Sequence, residues 1–146
     1  MRCIGAAEKS LELAIHRGMS RVGFGKPILQ LGGNLERVAE ARIKIDQARL
    51  LTLYAAQKMD SQGTKAALTE ISAIKVVAPT VLQEVADMAI QIHGGMGVCQ
   101  DTMLPGFYAQ GRVLRLADGP DEVHKTMIAK LELKRQGFRR PAKSSK

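Results

Sequence analysis

Apolar residues recur at Ile4, Ala7, Leu11, Ala14/Ile15 and Met19, the spacing of one face of a helix. The pattern predicts a first helix from Met1 to about Ser20. Gly23-Phe24-Gly25-Lys26-Pro27 reads as a loop, and Gly32-Gly33 as a second turn. Asn34 is placed to N-cap a second helix that runs to about Ser61, with Gly63 as its stop. Its apolar positions, among them Leu35, Val38, Ile45, Leu51 and Leu53, cover more than one stripe, so it is expected to be packed on several sides. Thr64 is read as opening a third helix through Leu68, Ile71, Val85 and Ile92, ending at Gly94-Gly95. Pro79 falls inside that run and is expected to kink or divide it. A shorter helix follows over Gly106 to Leu116, then the turn Asp118-Gly119-Pro120. Pro120 suits the first position of a last helix, Asp121 and Glu122 suit its positive end, and Gly137 stops it after Gln136. These elements predict an all-α, up-down helical bundle over residues 1–136.

Composition agrees. Aromatics are 3% of the 146 residues and Trp is absent, so Ala, Leu, Ile and Met, all good helix formers, fill the core. The length suits one domain with a core that needs no disulfides. The net charge of +8 is concentrated at one end: no acid follows Glu132, whereas Lys134, Arg135, Arg139, Arg140, Lys143 and Lys146 do. Residues 137–146 are therefore expected to form a basic disordered tail. No basic face is interleaved with aromatics, so no nucleic-acid partner is expected. Cys3 and Cys99 lie far apart and outside any metal-ligand spacing, and are expected to be buried free thiols. No stretch of 18 apolar residues predicts a transmembrane segment, and the N-terminus lacks a signal-peptide pattern. His16, His93 and His124 read as structural or surface residues, with no metal site and no Ser-His-Asp arrangement.

Three segments exceed what a plain bundle needs. They are Arg21-Val-Gly-Phe24-Gly25-Lys26-Pro27, Gln91-Ile92-His93-Gly94-Gly95-Met96-Gly97, and Ala117-Asp118-Gly119-Pro120-Asp121-Glu122. Each lies at a helix end, and each has glycine that lets backbone approach a ligand. Taken singly, each is also an ordinary helix cap or turn, and Asp118 could be an N-cap or first-turn acid of the last helix. Taken in order, the RxxFG, QIxGGxG and acid-Gly motifs resemble the C-terminal domain of the acyl-CoA dehydrogenases, from Ile4 to about Leu133. Gln91 precedes Asp118 by 27 residues, matching the family's interval between that Gln and its catalytic base. The segment Arg115-Leu-Ala-Asp118-Gly-Pro-Asp-Glu-Val-His124 is similar to a subgroup with Asp in place of the usual Glu. The sequence departs from the family at Gly32, where a Gln is common, at Pro120, where a Thr is usual, and at Ala109-Gln110, where an Arg-Asp pair is usual.

The resemblance implies roles residue by residue. Arg21 would reach the FAD pyrophosphate of a neighbouring subunit, a charge-assisted contact suited to Arg, with Phe24 against the same cofactor. Gln91, Ile92, His93, Gly94 and Gly95 would place backbone and an amide beside the FAD adenosine part, again across a subunit interface. Asp118 would take the α-proton from an acyl-CoA thioester, Gly119 would lie beside the substrate, and Pro120, Asp121 and Glu122 would lie near FAD. A base of this kind must stand within roughly 2.6–3.2 Å of its proton, and burial against acyl chain and flavin would raise its pKa toward the operating range. The β-hydride would go to the flavin. The resemblance also implies self-association as a dimer or tetramer through an exposed apolar face, and an electron-transfer flavoprotein as partner of the whole enzyme. Family members carry an N-terminal helical domain and a middle β-domain as well, so this chain is expected to hold only part of an active site. The implied setting is fatty-acid metabolism in the mitochondrion, with bacterial cytoplasm or the peroxisome as alternatives. A second reading is a non-catalytic oligomerisation module that associates with full-length relatives.

Overall fold

The architecture was obtained as a computed structural model, which describes residues 1–138. The expected tail over 137–146 therefore falls mostly outside the described residues. The all-α expectation holds: five helices, α1 (Arg2–Ser20), α2 (Asn34–Gln62), α3 (Leu68–His93), α4 (Leu104–Leu114) and α5 (Asp121–Arg135), make up the domain. The loop after α1 contains one departure, a ribbon of two short strands, β1 (Val22–Gly23) and β2 (Lys26–Pro27). No helix among the described residues is long and apolar enough to cross a membrane.

α1 buries Ile4, Ala7, Leu11 and Ala14, four of the positions its periodicity marks. These meet α3 in register: Ile4, Ala7 and Leu11 cluster with Val81, Leu82 and Val85, and Ala14 clusters with Ala89 and Ile92. α1 and α3 are thus parallel. α2 returns between them, since Lys44 pairs with Glu84 at 2.9 Å and Lys58 with Glu70 at 2.7 Å. Its buried face is small, with Ala41, Ala48 and Ala55 around Ile45, which lets it approach closely. α4 also runs against α3: Leu104 joins the cluster with Ile92, while Gly111 lies over Pro79 and Gln83. α3 touches every other helix and is the axis of the bundle.

Six expectations need correction. α3 begins at Leu68 rather than Thr64, because residues 64–67 make a turn that carries Ala67 into the core before the helical ladder starts with Ile71 N–H donating to Ala67 O at 2.9 Å. Of the two outcomes expected at Pro79, division of the helix does not occur: α3 is continuous from Leu68 to His93, neighbours on all sides hold it, and the missing N–H costs one ladder bond. The N-cap of α2 is Gly33; Asn34 is its first residue and donates its side-chain amide to Ile28 O at 2.8 Å. Pro120 likewise is the N-cap of α5 rather than its first residue. α2 is not packed on several sides either. Leu35, Ile43, Leu50, Leu53 and Tyr54 are each more than half exposed. The cysteines are half-buried rather than buried, and burial pushes the Cys3 thiol up.

Candidate functional site

The three motifs fall at two opposite ends of the bundle. Arg21 follows the last residue of α1, and the Gln91–Gly95 segment ends α3 beside it, because Ile92 packs with Ala14 and Leu29. Asp118 lines a groove with Met1, Arg2 and Cys3, at the first residues of α1. α1 has 19 residues, so about 28 Å of helix separates the ends.

At the first end, Val22 pairs with Pro27 and Gly23 with Lys26, leaving Phe24-Gly25 as a two-residue turn. Both turn residues have positive φ, +52° and +81°, as the tight turn matching strand twist requires. Gly25 adopts this freely; a bulky residue such as Phe24 does so at a cost. Phe24 is also 99% exposed, so an aromatic ring is held out with nothing in the chain to cover it. The turn closes on α1 because Gly18 leaves room for Leu29; a Cβ there would stand 2.8 Å from its side chain. Arg21 is exposed and makes no ion pair among the described residues. Gly94 turns the chain at φ +64°, and a Cβ on Gly94 or Gly95 would meet nothing within 4 Å. Gln91 is exposed, whereas Ile92 and His93 are buried, with His93 Nδ1–H donating to Ala89 O at 2.8 Å. At positions 92 and 93 only backbone is therefore available to a ligand. An exposed ring, an unpaired guanidinium, an amide and open glycine backbone fit a flat, anionic, polar-edged ligand, and FAD is such a group.

At the second end, α4 stops at Leu114 and the chain loops to Asp118. This residue is exposed and left-handed (φ +54°), and Gly119 follows at φ +97°. His124 Nε2–H donates to Asp118 O at 3.3 Å, and a Cβ on Gly119 would make only ordinary contact with that nitrogen at 3.4 Å, so glycine is needed here for its φ. The Asp118 carboxylate makes no hydrogen bond, cap or ion pair among the described residues, and α5 has no side-chain cap. The purely structural alternative, an N-capping acid, is not what the residue does. Asp118 borders a groove of about 380 Å³ whose walls include Ile71, Ile74, Ala78, Pro79 and Leu114. Pro120 and Glu122 are exposed, but Asp121 is 3% exposed and its Oδ2 accepts from Arg115 Nε at 2.7 Å.

Two residues around this turn, Lys75 and Gln83, carried no motif in the sequence. Lys75 donates to Leu114 O at 2.6 Å and Gly119 O at 3.3 Å, and Arg115 Nη1 donates to Gln83 Oε1 at 3.0 Å. Lys75 and Gln83 stand with Pro79 at helical spacing on one face of α3, the only trace they leave in the sequence. Among the described residues no three His, Cys, Asp or Glu side chains converge on a common point.

Comparison with known proteins agrees with this fold. The family profile described as acyl-CoA dehydrogenase, C-terminal domain, matches residues 1–133. The chain is 48% identical over 136 residues to mouse acyl-CoA dehydrogenase family member 10, covering 93% of this chain and 13% of that protein. A Mycobacterium abscessus structure described as an acyl-CoA dehydrogenase superposes with a TM-score of 0.92 at 54% identity, over 93% of this chain and 33% of that one. Butyryl-CoA dehydrogenase from Megasphaera elsdenii superposes with a TM-score of 0.82 at 27% identity, over 90% of this chain and 34% of that one. The chain thus spans between 13% and 34% of the length of these relatives.

Proposed function

From the premise that this chain belongs to the acyl-CoA dehydrogenase family of oxidoreductases, as its C-terminal domain, we propose that it supplies the proton-abstracting base and part of the cofactor cradle of a flavin-dependent acyl-CoA dehydrogenase. The observation that carries this reading is the Asp118 carboxylate, unpaired among the described residues and held beside an apolar groove by a left-handed turn. The α-hydrogen of an acyl thioester is weakly acidic, and its removal needs such a carboxylate within hydrogen-bond reach. Asp118 takes the proton, the Gly119 backbone lies along the substrate, and the turn keeps the short Asp side chain in place. FAD, when bound, supplies the redox chemistry by accepting the hydride equivalent from the β-carbon.

The other end of the bundle takes a different role. One FAD does not serve Asp118 and lie on Arg21 and Phe24 of the same chain, since these stand a helix length apart. The resemblance assigns Arg21, Phe24, Gln91 and the Ile92–Gly95 backbone to the FAD of a neighbouring subunit, and the separation supports that assignment. Arg21 meets the pyrophosphate, Phe24 covers an otherwise open face, and Gly94 and Gly95 let backbone approach the adenosine part. Pro120 and Glu122 reach toward FAD at the Asp118 end, and Asp121 contributes there through the loop it ties down. Self-association follows as a requirement of a complete site, with acyl-CoA as substrate and an electron-transfer flavoprotein as electron acceptor of the whole enzyme. Relatives in mouse and mycobacteria fit either a mitochondrial or a bacterial cytoplasmic setting.

The test is Asp118→Asn in the full-length enzyme. Turnover with an acyl-CoA and an artificial acceptor is expected to fall by about 10²–10⁴-fold while flavin stays bound. Unchanged turnover refutes Asp118 as the base. The exposed apolar stripe on α2 favours a second reading, a domain acting chiefly through association. A colourless, inactive, self-associating protein would support it.

A further inference from the structure

We propose that Lys75 is the positioning residue for Asp118: its ammonium joins the two ends of the turn that presents the carboxylate. The proposal rests on Asp118 being the base and goes beyond it to what holds that base in place. Lys75 stands about two turns into α3 and is half-buried. Its Nζ donates to Leu114 O at 2.6 Å and to Gly119 O at 3.3 Å. Leu114 is the last residue of α4, so its carbonyl belongs to the negative end of that helix and lacks an intrahelical partner. The Gly119 carbonyl directly follows Asp118. One cation therefore satisfies the carbonyl that enters the loop and the carbonyl that leaves the base.

Without it, two carbonyl oxygens would converge beside a groove walled by Ile71, Ile74 and Ala78, where no other side chain among the described residues donates to them. The turn needs such support. Asp118 at φ +54° is a non-glycine residue in left-handed conformation, which persists only where the surroundings over-determine it. A compact ammonium with three rotatable donors suits two converging carbonyls, whereas a guanidinium presents its donors in a fixed plane. A second clasp closes the far side: Arg115 Nε meets Asp121 Oδ2 at 2.7 Å, and Asp121 N–H donates to Arg115 O at 3.2 Å. That clasp fixes where α5 begins; Lys75 fixes the segment that carries the carboxylate.

The experiment compares Lys75→Met, Lys75→Arg, Asp118→Asn and the Met/Asn double variant in the full-length flavoenzyme. Steady-state kinetics, flavin content and amide hydrogen exchange over residues 114–121 are measured for each. Lys75→Met is expected to lower kcat by about tenfold or more, because displacing a positioned group by a fraction of an ångström is that costly. KM and flavin content are expected to stay within about twofold, and exchange to quicken over 114–121 alone. Lys75→Arg, which keeps cationic donors but fixes them in one plane, should recover only part of kcat, and the double variant should be no slower than Asp118→Asn, since both act on one step. If Asp118→Asn abolishes turnover but Lys75→Met leaves kcat and exchange at parent values, the positioning role is overturned and the base stands. If flavin content and melting temperature fall in step with kcat, Lys75 is merely structural and the proposal is overturned. If Asp118→Asn turns over normally, the base reading fails and the positioning role fails with it. Should the Met variant not fold, Lys75→Gln keeps a neutral donor one bond shorter, and parent-like kcat and exchange there overturn the proposal.

Discussion

At the scale of single residues, the domain uses charge to bridge helices that periodicity only places side by side. Glu8 on α1 is gripped by Arg42 at 2.7 Å and by Arg49, both on α2. The Arg42 hydrogen bond, seconded by Arg49, holds the Glu8 carboxyl down at about 2 from an ordinary 4.5. A carboxyl whose folded value is depressed adds stability that is present above the ordinary value and lost as pH falls through the folded one. Glu8→Gln is therefore expected to cost about 1 kcal/mol at pH 7, a figure that allows for solvent screening of a partly exposed pair. The cost should shrink toward zero as pH falls from 4.5 to 2, which thermal melts along that range will show. None of this was legible in the sequence, because Glu8 and Arg42 are 34 residues apart and only the α1–α2 packing brings them together. Asp118 was legible, because its turn is local: acid, glycine and proline in succession specify a bend before a helix wherever the chain goes.

At the scale of elements, the helices were largely readable and their boundaries less so. The 3.6-residue repeat marks which residues share a face, and it placed Ile4, Ala7, Leu11 and Ala14 in the core. The start of α3 was misplaced because Gly63-Thr64 has the look of a stop followed by a cap, while burial of Ala67 delays the helix to Leu68. Pro79 does not divide α3 for the opposite reason: its local cost is real, but packing around α3 exceeds it. The close approach of α4 to that same stretch gives an element-scale prediction. A Cβ on Gly111 would stand 3.2 Å from both Gln83 N and Pro79 O, backbone atoms that cannot swing aside. Gly111→Ala is expected to destabilise the domain by about 1–3 kcal/mol, seen as a lower melting temperature. It should also loosen the loop after α4, detectable as faster amide exchange at residues 114–121.

At the scale of the whole molecule, the long helix α2 divides its apolar residues between two faces. Ala41, Ile45 and Ala48 are buried, while Ile43, Leu50 and Leu53 are 56%, 66% and 52% exposed. A contiguous stripe of this kind is the surface through which the proposed self-association would run. The paired change Ile43→Lys and Leu50→Lys is expected to shift the protein toward monomer in sedimentation velocity while leaving its helical circular dichroism unchanged, since neither side chain contributes to the core. An unchanged sedimentation profile would remove α2 from the interface.

The sequence by itself determined the number and order of the helices, the glycines that stop them and the three loops where ligands are to be sought. These features depend on residues within a turn or two of each other, and local repeat and turn chemistry suffice to express them. Tertiary structure alone decided that the Arg21 and Gln91 loops share one end while Asp118 stands at the other. It also decided that Lys75 reaches across from α3 to hold the Asp118 turn, and that α2 keeps one apolar face uncovered. Those outcomes depend on which helix faces meet and in which direction each helix runs, and residues far apart in the chain settle both.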